Sequence, residues 1–254
     1  KPLIIFFITA ALALLFVLIV GIVKPRVNLS QKKINIAVVA GFMQPFREIA
    51  AEFEKQSGIK LEATFTSAGK IYSQVINGAP YDIVLVDEER AARLFNEGRA
   101  GEPFIYARGQ VVLWTARKDL CGTGSWTDLV KSGKLKRIAI AKPEVGIYGK
   151  CARTALERTG LWRSVEPLLI QSPDLARVFQ FASAGSVDAG FCNLFQAYSE
   201  HGRAGCFYYV KEAPDVIHSA AVIKGCREHE SAMRLADFLV SGQVEKIKSK
   251  YGFR

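Results

Sequence analysis

From residue 34 to residue 254, short apolar runs alternate with amphipathic stretches, and this alternation constrains the fold more than any other feature of the chain. Residues 34–40 (INIAVVA) are of strand type, 41–45 form a turn, and 46–56 put Phe46, Ile49, Ala50 and Phe53 at helical spacing. Residues 61–66 are a second strand, followed by Ser67-Ala68-Gly69 and a helix over 70–76. Gly78-Ala79-Pro80 breaks that helix. Residues 81–86 (YDIVLV) are a third strand, and the helix over 87–96 opens on three acids, as the helix dipole favours. The same grammar predicts strands at 110–115, 137–141, 189–192, 206–210 and 217–223. It predicts helices at 126–131, 148–158, 174–184, 228–240 and 244–251. Strands alternating with helices define an α/β fold with largely parallel sheets, in which ligands sit where strands end and helices begin.

Ahead of this region lies an uncharged apolar run, residues 3–23 (LIIFFITAALALLFVLIVGIV). As a helix it spans about 32 Å, the thickness of a bilayer core. No small-residue cleavage site follows it, so a retained single-pass anchor over 1–26 is expected rather than a removed signal peptide, with 27–33 as a linker. The chain carries 34 Lys and Arg against 24 Asp and Glu, a formal charge of +10. Lys1, Lys24, Arg26, Lys32 and Lys33 supply half of that excess beside the apolar run, leaving ordinary basicity elsewhere. Nucleic acid is therefore not an expected partner.

The chemistry of catalysis is missing. There is no phosphate-binding G-x-x-x-x-G-K-[ST], no G-x-S-x-G nucleophile elbow and no H-E-x-x-H. The three histidines are scattered, and His218, inside a strand, reads as a hydrogen-bonded structural residue. None of the five cysteines forms C-x-x-C, so no metal site is expected. Cys206 opens one apolar run and Cys226 closes the next, so antiparallel pairing of those runs would join them in a disulfide in an oxidising compartment, buried free thiols being the alternative. What remains is a set of turns at helix N-termini: 41–45, 67–69, 145–149 and 172–174. Converging in one cleft, their free N–H groups and positive dipole ends would bind an anion; taken singly they are ordinary β–α turns.

Several segments in order carry a resemblance. They are the opening INIAVVAGFMQPFREIAAEFEKQSGIKLEATFTSAGKIYSQVINGAPYDIVLV, then IAIAKPEVGIYGKCARTALERTGLW, DLARVFQFASAGSVDAGF and the ending LADFLVSGQVEKIKSKYGFR. Together they resemble the periplasmic molybdate-binding proteins of ABC transporters over about residues 34–254. The resemblance implies a two-lobe, clam-shaped periplasmic binding protein fold (type II), with lobe one at 34–110 and 218–254 and lobe two at 111–217. It implies no enzyme activity and no cofactor. Its ligand would be a tetrahedral dianion, molybdate or tungstate, held by neutral donors while a hinge closes over it.

Residue by residue, the resemblance assigns ligand binding to Gly41, Ser67, Ala68, Tyr148, Leu175 and Asn193. Two of these positions differ from the family pattern: Gly41 stands where a hydroxyl or amide side chain is usual, and Ala68 replaces the second serine of the second turn. Met43 is expected to reach toward the cleft. Two functions follow. One is a membrane-anchored extracytoplasmic binding protein in the inner membrane, its soluble part in the periplasm, delivering an oxyanion to an ABC permease. The other is a repurposed binding-protein fold, an accessory or structural subunit of a larger membrane complex with a vestigial cleft.

Overall fold

In the computed structural model, residues 32–122 and 124–254 are described. Among them, ten strands form two five-stranded sheets. The first sheet has the order β2-β1-β3-β10-β4, built from β1 (Lys33–Val39), β2 (Lys60–Thr66), β3 (Ile83–Asp87), β4 (Phe104–Gly109) and β10 (Val216–Val222). The second has the order β7-β6-β8-β5-β9, built from β5 (Val111–Thr115), β6 (Ile138–Ala141), β7 (Leu169–Ser172), β8 (Ala189–Asn193) and β9 (Cys206–Tyr209). The chain passes between the sheets twice, between Gly109 and Val111 and again between Tyr209 and Val216. Each sheet with its helices is one lobe.

The inner strands β3, β5, β6 and β8 are buried on both faces, which explains why they read as continuous apolar runs, whereas the edge strand β2 alternates. Along β3, Ile83 and Leu85 enter one core cluster with Ile34, Ile36, Val38, Phe42, Phe46 and Phe53. Val84 and Val86 enter the cluster on the other face, with Ala37, Ile71, Val75 and Leu94. In the second sheet Val111 and Leu113 face Trp126, Ile140 and Phe191, while Val112 and Trp114 face Val178, Ala182 and Cys192. The side-chain period of two thus delivers successive residues to helices on opposite faces.

Helices connect the strands of each lobe. They are α1 (Met43–Ser57), α2 (Ala68–Ile76) and α3 (Glu88–Asn96) in the first lobe, with α4 (Trp126–Lys131), α5 (Ile147–Arg158), α6 (Trp162–Val165), α7 (Leu175–Ser183) and α8 (Leu194–Tyr198) in the second. Helices α9 (His229–Val240) and α10 (Glu245–Lys250) return to the first lobe, packing Leu235, Leu239 and Ile247 on its core. Two strands are not announced by the sequence pattern. In β4, Arg108 and Gly109 interrupt the apolar run, and β7 is a four-residue edge strand with Ile170 and Gln171 exposed.

Two expectations are corrected here. The disulfide joins Cys121 to Cys206, with Cα atoms 6.0 Å apart, and Cys226 is free. The runs around Cys206 and Cys226 do not pair, because β9 belongs to the second sheet and β10 to the first. Strand β9 instead lies antiparallel to β5, with Cys206 opposite Thr115, and Cys121 closes the short turn after β5. The second correction concerns the fold class, which was expected to include a transmembrane helix. Residues 3–23 lie outside the described residues, and no described helix is long and apolar enough to cross a membrane. The two-lobe α/β body stands without that element.

Candidate binding cleft

Between the lobes lies a cleft of about 300 Å³. Gly41, Ser67, Ala68, Tyr148, Leu175 and Asn193 all line it, and so do Asp87, Arg90, Asp174 and His218. Met43 does not. The 3₁₀ turn Ala40–Phe42 intervenes between β1 and α1, so Gly41 rather than the first residue of α1 reaches the cleft.

Each donor is placed by a helix start. Ser67 caps α2, its oxygen accepting from the Lys70 amide at 3.4 Å, which leaves the hydroxyl hydrogen for a ligand. Asp174 caps α7 by accepting from Arg177 N at 2.8 Å, leaving the amide of Leu175 among the unpaired first-turn donors. Gly146 precedes α5, and no side chain caps that helix. A Cβ on Gly149 would fall 2.1 Å from the Ala141 carbonyl oxygen, so only glycine lets α5 lie this close to the end of β6. Asn193 caps α8, its Oδ1 accepting from Gln196 N at 2.8 Å. Three helix N-termini, those of α2, α5 and α7, therefore converge on the cleft with positive dipole ends.

Tyr148 is a buried residue of the cleft. Its Oη is 3.3 Å from His218 Nε2. A Cβ on Gly109 would sit 2.1 Å from that oxygen, so the glycine at the first passage between lobes is the space the hydroxyl occupies. Burial pushes the Tyr148 phenol well above its usual range, which keeps it protonated as a donor. His218 is pushed the other way, down to about 4, because burial disfavours the imidazolium and the nearby Asp87 carboxylate only partly offsets this.

That depression predicts a pH dependence of stability. His218 stays neutral in the folded chain, whereas the unfolded chain takes up a proton near the ordinary value of 6.5. This contribution to stability is complete above that pH and is lost as pH falls toward 4, by about 3 kcal/mol in total. Urea unfolding across this range should show the loss, and His218→Gln should remove that share of it. Equal pH dependence in both proteins would refute it.

The charged groups of the cleft were not foreseen as site residues. Asp87 caps α3 through Arg90 N at 2.9 Å, and its Oδ2 meets Arg90 Nη1 at 2.7 Å. The cleft thus holds an ion pair as well as neutral donors. His218 faces Asp87 across the antiparallel β10–β3 pairing, a juxtaposition only the tertiary fold creates. Among the described residues, no group of three or more His, Cys, Asp or Glu is arranged to hold a metal ion.

Two lobes joined by two crossings, with helix N-termini aimed into the gap, define a hinged solute-binding protein. A family model for bacterial extracellular solute-binding proteins matches residues 34–254, and the chain belongs to that family. It is 29% identical over 227 residues to the molybdate-binding protein ModA of Azotobacter vinelandii, covering 87% of this chain and 89% of the relative. Identity to the molybdate-binding protein ModA of Rhodobacter capsulatus is 29% over 242 residues, covering 93% and 92%. The solved structure of the periplasmic molybdate-binding protein of Azotobacter vinelandii superposes with a TM-score of 0.76 at 23% identity, covering 87% of this chain and 98% of that one.

The chain is accordingly a binding protein and not an enzyme. These findings correct the anchored reading. They support an extracytoplasmic solute-binding protein, and neither they nor the described residues supply a membrane span. Attachment through residues 3–23 and a single-pass inner-membrane location drop out of the account.

Proposed function

We propose that this protein captures a tetrahedral oxyanion of the molybdate and tungstate class outside the cytoplasm and hands it to an ABC permease. The observation that carries this reading is the convergence, from both lobes, of Ser67, Tyr148, Asn193 and the N-termini of α2, α5 and α7 on one cleft. Preorganised N–H and O–H donors replace the water shell of such an anion at little reorganisation cost. A cleft of about 300 Å³ has room for an anion of that size. The Cys121–Cys206 disulfide agrees with an oxidising compartment. The relatives named for molybdate match 87% and 93% of this chain.

Calorimetry of the purified chain with molybdate, tungstate, sulfate and phosphate tests the proposal. Saturable heat with molybdate and tungstate is expected. Ala68→Ser should tighten binding by about 1–2 kcal/mol by adding one hydrogen bond to a charged group. A complete lack of heat and of thermal shift with all four anions at millimolar concentration would contradict it, because a ligand far above its Kd must stabilise the folded state. That outcome would favour an accessory subunit with an empty cleft, for which the absent side chains at Gly41 and Ala68 speak.

A further inference from the structure

The cleft holds more carboxylate than cation: Asp87 and Asp174 stand against Arg90. A dianion entering it meets three positive helix ends but no surplus of positive side chains. Beside the expected donors sits a titratable group that the site as described leaves without a task. His218 is only 6% exposed, lines the same cleft, and touches the Tyr148 hydroxyl across the interface of the lobes. Its Nδ1 is buried with no hydrogen-bond partner.

The surroundings of His218 are well defined. From β3 it faces Asp87, its register partner, whose carboxylate Arg90 of α3 already engages. From β4 comes Tyr106, whose hydroxyl is likewise buried without a partner. From α5 comes Tyr148, and the aromatic rings of Phe42 and Phe253 close the remaining sides. The formal charge nearest the imidazole is therefore negative.

From this geometry we infer that an oxyanion enters the cleft together with one proton, which His218 takes up. This rests on the oxyanion reading above and deepens it. With its hydrogen on Nδ1, neutral His218 accepts the Tyr148 Oη–H at Nε2, and the hydroxyl is turned away from the ligand. A dianion in the cleft favours the imidazolium, as an opposite charge at close range does. The proton comes from solvent and bonds to Nε2; no bond of the ligand changes and no proton is released. Nε2–H then donates to Tyr148 Oη, and the phenol hydrogen turns to the anion. One protonation event supplies a compensating charge and an aligned donor. Burial holds His218 neutral to about pH 4 before an anion enters, so near neutrality uptake accompanies binding.

The test is calorimetry of molybdate binding to the full chain at pH 6, 7 and 8, each in two buffers of different ionisation enthalpy. Molybdate is itself a dianion over this range. Affinity should fall as pH rises, by up to about tenfold per unit. The buffer dependence of the heat should report uptake of close to one proton. His218→Gln should remove both effects, and Tyr148→Phe should weaken binding while retaining the uptake. Should His218→Gln fail to fold, the wild-type buffer comparison still decides whether a proton enters. Binding of constant affinity without proton uptake would overturn the inference and leave the oxyanion reading standing. Retention of the full pH dependence in folded His218→Gln would do the same. An absence of binding at every pH would overturn both.

Discussion

Gly109→Ala is expected to weaken oxyanion binding by about 10- to 100-fold, the loss of one hydrogen bond to a charged ligand. The new Cβ would lie 2.1 Å from Tyr148 Oη, 3.1 Å from Tyr148 Cζ and 3.4 Å from His218 Nε2. Gly109 is not among the residues with positive φ, so the backbone tolerates alanine and the effect is purely one of space. The hydroxyl must leave its place and give up both its contact with His218 and its aim at the cleft. A double-mutant cycle isolates this cause. In a Tyr148→Phe background the oxygen is already gone, so adding Gly109→Ala should cost little more binding. Additive losses would show that Gly109 acts through the hinge instead.

The second large effect concerns stability. Replacing Cys121 and Cys206 by serine should destabilise the protein by about 2–4 kcal/mol. The bond spans 85 residues, so it restricts the unfolded chain strongly. In the folded protein it ties the turn after β5 to the start of β9, where Tyr208 also donates to the Leu120 carbonyl. Strand β9 is the edge of the second sheet and pairs with β5 alone. Without the bond, hydrogen exchange should quicken there first. Urea unfolding with and without reductant measures the effect. The wild type under reductant should match the double variant, and no shift in either would refute the contribution.

The α/β character was legible because burial on both faces leaves a mark that survives without coordinates, as in INIAVV and DIVLV. The helix predicted over 126–131 is observed, and Ser125 caps its start in a capping box with Asp128. Strand β4 was hidden because its last residues, Arg108 and Gly109, serve the passage between lobes rather than the core. The partner of Cys206 is hidden from the sequence because the chain changes lobes between β9 and β10, so neighbouring apolar runs are not neighbours in a sheet. Of the cleft, the turn residues could be named from pattern and resemblance. His218, Asp87 and Arg90 could not, since no local spacing reports that β10 lies against β3. A buried strand histidine looks the same in sequence whether it packs in a core or lines a ligand site.

The location of the ligand tests the account most directly. A crystal of the chain grown with molybdate and measured at the molybdenum absorption edge should show one strong anomalous peak between Ser67 and Tyr148, within hydrogen-bonding reach of the first-turn amides of α2 and α7. The account would be contradicted by an empty cleft with the peak elsewhere, for example in the pocket on the first lobe lined by Arg99, Lys224 and Arg227.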